Sequence, residues 1–105
     1  MQVCIVTGGN SGVGLMTSVG LAKLGYHVFI ACRSHTKARK AIAYISKKTG
    51  NPNIEYLPLN LASLESVRQC VELFLAKNLP LNILINNAGI FSDRGVTPEG
   101  FEVIW

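Results

Sequence analysis

A chain of 105 residues bounds the molecule to one domain, and its 49% hydrophobic against 15% charged content excludes a disordered chain. The net charge of +4 is unevenly spread: residues 1–50 hold seven Lys or Arg and no acid, residues 51–105 three bases and all six acids. Nucleic acid is not the implied partner, because Lys37, Arg39, Lys40, Lys47 and Lys48 fit the solvent face of one helix without a run of aromatic residues for bases to stack upon. The three cysteines, Cys4, Cys32 and Cys70, are far apart and show no metal-ligand spacing, which reads as reduced, buried thiols in a reducing compartment. No apolar run approaches the roughly 18–20 residues that cross a bilayer. The first residues also lack a basic leader, so the expectation is a soluble, cytoplasmic chain with no transmembrane segment.

In chain order, Val3 to Val6 is short, continuous and β-branched, the pattern of a strand buried on both faces. A helix pattern runs from Gly12 to Leu24 on Val13, Met16, Val19, Gly20 and Leu24, with Gly20 expected to pack closely on the sheet and Gly25 to stop the helix. Val28 to Ala31 reads as the second strand and Thr36 to Lys48 as the second helix, where Ala38, Ala41, Ile42 and Ile45 share a face. After the turn Gly50-Asn51-Pro52-Asn53, Ile54 to Leu57 is the third strand. Ser63 is an N-cap with Glu65 in the first turn, opening a helix whose expected apolar face is Leu64, Val67, Val71, Phe74 and Leu75. Asn82 to Ile85 is the fourth strand, followed by a loop over Phe91 to Pro98 and a helical start over Glu99 to Trp105. Alternating strands and helices imply an α/β, doubly wound parallel sheet of the Rossmann type with strand order 3-2-1-4. The fourth strand would then stand at an edge, unpaired on one side, so the sheet is expected to be incomplete.

The stretch Thr7-Gly8-Gly9-Asn10-Ser11-Gly12-Val13-Gly14 lies between the first strand and the first helix. That layout suits a dinucleotide pyrophosphate: a helix N-terminus offers unpaired N–H groups and positive potential, and glycines let phosphate approach without meeting a Cβ. Arg33 closes the second strand, where the adenosine ribose sits in such a fold, and residues 31–36 hold no acid. An acid there takes the 2′-hydroxyl of NAD, whereas the planar donors of an arginine accept the 2′-phosphate of NADP. NADP(H) is therefore expected in preference to NAD(H). The plainer alternative for Arg33 is a solvated loop residue.

With TGGNSGVG after the first strand, ACRS after the second, NLASLESV after the third and NNAG after the fourth, the chain resembles the short-chain dehydrogenase/reductase family over essentially its whole length. ACRS and the closing PEGFEVIW are similar to its retinol-dehydrogenase-like branch, which also includes WW-domain-containing oxidoreductases. The resemblance implies that Gly8, Gly12 and Gly14 form the phosphate loop, lined by Asn10, Ser11 and Val13, and that Arg33 is the basic position of NADP-preferring members. It places Asn60 and Leu61 at the adenine ring, with Asn60 standing where the family has Asp. It also places Asn87, Ala88 and Gly89 beside the nicotinamide ribose. The plainer role for Asn86 and Asn87 is to satisfy backbone groups at a strand end.

The family's catalytic Ser and Tyr-x-x-x-Lys have no counterpart at the expected place. Tyr44 has Lys48 four residues on, but on the second helix, where the pair reads as a surface coincidence. His27 and His35 have no partner in the pattern and read as structural, Asp93, Glu99 and Glu102 lack a metal-ligand pattern, and the loop lacks the Gly-Lys-Ser/Thr of a nucleotide triphosphatase. Two expectations follow. The chain is the N-terminal, cofactor-binding part (residues 1–105) of an NADP(H)-dependent oxidoreductase acting on a small-molecule alcohol or carbonyl, truncated before the catalytic segment and inactive alone. Alternatively it is a truncated, non-catalytic dinucleotide-binding or interaction module. The reading frame beyond Trp105 discriminates them.

Overall fold

The structure, a computed structural model, describes residues 2–87. The expected loop and helical start after Phe91, together with Ala88, Gly89, Asp93, Glu99 and Glu102, lie outside the described residues. Seven elements alternate along the chain: β1 (Val3–Thr7), α1 (Gly12–Lys23), β2 (His27–Cys32), α2 (His35–Thr49), β3 (Ile54–Pro58), α3 (Leu64–Leu75) and β4 (Ile83–Asn86). All strand pairs are parallel and the order is β3-β2-β1-β4, as the alternation implied.

Side chains alternate across a strand, so one continuous apolar run feeds two cores. Val3, Ile5, Phe29, Ala31 and Leu57 point to the face covered by α3, where Cys70 and Phe74 close over them. Cys4, Val6, Val28, Ile30 and Ile54 point to the other face, under Val19 and Ala22 of α1 and Ile45 of α2. Phe29 is fully buried, with the His27 ring stacked on it at 4.5 Å and Phe74 edge-on at 5.4 Å. His27 also has a partner that the pattern did not show, Glu55 on β3, with Nε2 2.8 Å from its carboxylate.

Two helix faces differ from the sequence pattern. In α1 the buried residues are Gly14, Ser18, Val19 and Ala22, while Val13, Met16 and Leu24 stand out in solvent. Gly20 is exposed too, and a Cβ there would meet nothing, so it does not pack on the sheet. The reason is size: small residues let α1 lie close against β1 and β2, and the large apolar ones are turned away. In α3 only Cys70 and Phe74 are buried, with Val67 half-covered, while Leu64, Val71 and Leu75 remain exposed. The basic side chains of α2 do form its solvent face, and its apolar stripe Ala38, Ala41 and Ile45 is buried as expected. Among the described residues no helix is long and apolar enough to cross a membrane.

Because Gly20 interrupts an exposed helix interior with open space around it, Gly20→Ala is expected to stabilise the fold by up to about 1 kcal/mol. The check is a higher midpoint in urea or thermal denaturation.

Candidate functional site

The site is built where β1 ends and the chain turns into α1. Thr7, 5% exposed, anchors that turn to β4: its hydroxyl donates to Asn86 Oδ1 at 2.9 Å and accepts from the Asn87 N–H at 2.8 Å. Gly8 then donates its N–H to the Ala31 carbonyl of β2 at 2.8 Å, so the loop is held by both neighbours of the central strand. Gly8 and Gly12 sit at φ +64° and +57°, a region that L side chains rarely adopt.

Gly14 is needed for a different reason, closeness. A Cβ on it would collide with the Gly8 carbonyl and stand 2.5 Å from Asn87 Nδ2. The first turn of α1 thus rests directly on the loop. Gly9 is buried as well, and a Cβ there would lie 2.9 Å from Ser18 Oγ and 3.1 Å from the Val6 carbonyl. The spacing pattern singled out Gly8, Gly12 and Gly14 and passed over Gly9, because nothing in a glycine pair tells which member meets the sheet.

The start of α1 differs from that of the other helices. Ser34 caps α2 by accepting from the Lys37 N–H, and Ser63 caps α3 by accepting from the Ser66 N–H. Ser11, the N-cap of α1, makes no side-chain cap bond, and the first helical bond runs from Leu15 N to Ser11 O at 3.2 Å. The N–H groups of Gly12, Val13 and Gly14 are therefore outside the helix's own hydrogen bonding.

Beside that turn lies a cleft of about 420 Å³ lined by Gly8, Asn10, Ser11, Ala31, Cys32, Arg33, Leu59, Asn60, Leu61, Ala62 and Asn87. It brings together residues from the ends of β1, β2, β3 and β4, the position at which open parallel sheets bind ligands. Of the residues singled out in the sequence, Gly8, Asn10, Ser11, Arg33, Asn60, Leu61 and Asn87 line it. Gly14 lies behind the loop instead, and Val13 is 70% exposed at the start of α1. Ala31, Cys32, Leu59 and Ala62 also line it and were not foreseen as site residues; Cys32, Leu59 and Ala62 adjoin residues that were, and Ala31, Cys32 and Ala62 lie within the ACRS and NLASLESV blocks.

Arg33 is exposed at the rim of the cleft and makes no ion pair among the described residues. Asn60 builds its own turn: its Oδ1 accepts from the Ala62 N–H at 3.0 Å while its N–H donates to Ser66 Oγ at 2.8 Å. Burial raises the half-buried Cys32 thiol above its ordinary range, partly offset by a backbone hydrogen bond at Ser34. Burial alone pushes Cys4 up to about 11 and raises Cys70. No group of metal-binding side chains occurs among the described residues.

A family model described as short chain dehydrogenase matches residues 2–103. The chain belongs to the short-chain dehydrogenase family. Polyprenol dehydrogenase from Homo sapiens is 44% identical over 96% of this chain, and WW domain-containing oxidoreductase from Danio rerio is 47% identical over 96%. This short-chain dehydrogenase chain spans 31% of the first and 25% of the second. L-sorbose reductase from Gluconobacter frateurii, solved with NADPH and L-sorbose, superposes with a TM-score of 0.77 at 30% identity over 93% of this chain and 36% of its own.

Two outcomes test the geometry. Gly14→Ala is expected to destabilise the fold by about 1–3 kcal/mol, read by denaturation, because backbone on one side must shift to admit the methyl. Iodoacetamide at pH 8 is expected to label Cys32 first and Cys4 and Cys70 only on unfolding, with Cys32 labelling rising as pH climbs toward its raised pKa. Peptide mapping of the labelled sites reads the order.

Proposed function

We propose that residues 1–105 are the cofactor-binding portion of an NADP(H)-dependent oxidoreductase of the short-chain dehydrogenase family. It would act on a small-molecule alcohol or carbonyl and belong to the retinol-dehydrogenase-like branch. The observation that carries this reading is the uncapped start of α1 beside the cleft. Three N–H groups at a helix N-terminus, brought beside the cleft by the close packing that Gly9 and Gly14 permit, suit the pyrophosphate of a dinucleotide.

The other residues fit the rest of such a molecule. Gly8, Asn10, Ser11, Gly12, Val13 and Gly14 would hold the pyrophosphate, and the Arg33 guanidinium would meet the 2′-phosphate. Asn60 and Leu61 would border the adenine, with Asn60 offering its Nδ2 as donor since its Oδ1 already serves the turn. Asn87, Ala88 and Gly89 would border the nicotinamide ribose. The nicotinamide supplies the hydride when bound. What this chain's residues do is bind and orient the cofactor; none of them is assigned a catalytic step, because the relatives it matches are three to four times its length. The NADPH of the sorbose reductase, a similar chain, supports NADP(H) over NAD(H).

The test is fluorescence titration of the folded chain with NADPH and NADH. NADPH is expected to bind more tightly, and Arg33→Glu to weaken it by about 1.5–3 kcal/mol while changing NADH little. Binding of neither dinucleotide by a chain that is folded by circular dichroism would overturn the proposal.

A further inference from the structure

Arg33 leaves the sheet at the point where the β2–β3 ladder ends. Its neighbour Cys32 pairs with Pro58, which has no N–H, and the last bond of the ladder comes from Leu59 N to the Cys32 carbonyl at 3.0 Å. Past that bond the backbone of Arg33 has one contact with β3, the hydroxyl of Tyr56, which donates to the Arg33 carbonyl at 3.4 Å. The Tyr56 ring also lies 5.3 Å from the ring of His35, tilted by 38°. One side chain of β3 therefore touches the residue on each side of Ser34, and Ser34 is the cap that starts α2.

We propose that Tyr56 is a positioning residue for cofactor discrimination: by holding the Arg33 carbonyl it fixes the turn from which the guanidinium meets the 2′-phosphate. This rests on the reading of Arg33 given above. An arginine side chain has many rotamers, so the direction in which its fork points is set first by the backbone that carries it. Among the described residues the other ties of this turn are local: the Cys32 thiol and the Ala38 N–H to the Ser34 carbonyl, and the Lys37 N–H to the Ser34 hydroxyl. Among the described residues, Tyr56 is the side chain that ties Arg33 to the sheet. Desolvation, with the Cys32 thiol nearby, raises the Tyr56 phenol, so it stays a protonated donor through neutral pH.

The experiment uses two fragments of the cofactor, adenosine 2′,5′-bisphosphate and 5′-AMP, titrated calorimetrically into the folded chain and into Tyr56→Phe, which keeps the ring against His35 and removes only the hydroxyl. A 3.4 Å bond is long, so the expected loss for the bisphosphate is modest, about two- to fivefold, with 5′-AMP affinity and the melting temperature unchanged. Tyr56→Ala, which also loses the ring contact, is expected to lose more in the same direction. Equal weakening of both ligands by Tyr56→Phe, or no change in either, overturns the proposal. A wild-type chain that binds 5′-AMP but shows no preference for the bisphosphate overturns the NADP(H) reading and this proposal with it. Preference in the wild type that Tyr56→Phe retains in full overturns this proposal alone.

Discussion

The site depends on how close α1 comes to the loop that precedes it. Where Gly14 rests against the Gly8 carbonyl and Asn87, there is no room for a side chain, and the helix starts almost in contact with the ends of β1 and β4. Its N-terminal donors thereby stand beside the cleft rather than a turn away from it. The same closeness accounts for the composition of the helix face. Gly14, Ser18 and Ala22 fall one turn apart along one line, and the one polar member is satisfied internally, Ser18 Oγ donating to the Gly14 carbonyl at 2.8 Å. Had Leu or Met occupied that line, α1 would stand farther from the sheet and the loop would lose its floor.

That arrangement explains what could be read in the sequence. The strands and helices of the described residues were legible nearly to the residue, because buried parallel strands are continuous apolar runs and Ser63 marks a helix start by a local bond; the Ser34 cap was passed over, and α2 begins at His35 rather than Thr36. The cluster of cleft residues was legible as well, since strand ends in an open parallel sheet converge on one edge whatever their sequence. The buried face of α1 was legible only at Val19. Periodicity assigns the larger apolar residues to the core, and here Val13, Met16 and Leu24 face outward because the inner line is chosen for size, not hydropathy. In α3 the expected residues do share one helix face, but the helix turns its Cys70 and Phe74 side to the sheet, leaving Leu64 exposed and Val71 and Leu75 along an open apolar groove with Leu81 and Leu84. His27 and Glu55 are neighbours only through the β2–β3 register, which no local pattern encodes.

Charge is arranged on the same plan as shape. Residues 1–50 contain no acid, so every backbone element that borders the phosphate side of the cleft, from β1 to α2, is free of carboxylates. A carboxylate at the end of β2 would both repel a 2′-phosphate and pair with Arg33; none stands there, and Arg33 has no ion pair among the described residues. The basic row on α2 adds positive potential nearby, screened by salt beyond about 8–10 Å, so it can assist the approach of an anionic ligand without selecting it.

Selection therefore falls to the few groups whose direction is fixed. Backbone N–H groups at the start of α1 are fixed by the helix itself and discriminate only for anionic character. On the proposed reading Arg33 would discriminate for a second phosphate, but its side chain is exposed, and a long flexible cation in water binds weakly unless its base is held still. The sheet holds its backbone through Cys32 on the ladder and Tyr56 one step beyond, so under that proposal preference between cofactors would be a property of β3 as much as of β2. The acid-free turn provides the attraction, and the strand behind it provides the aim.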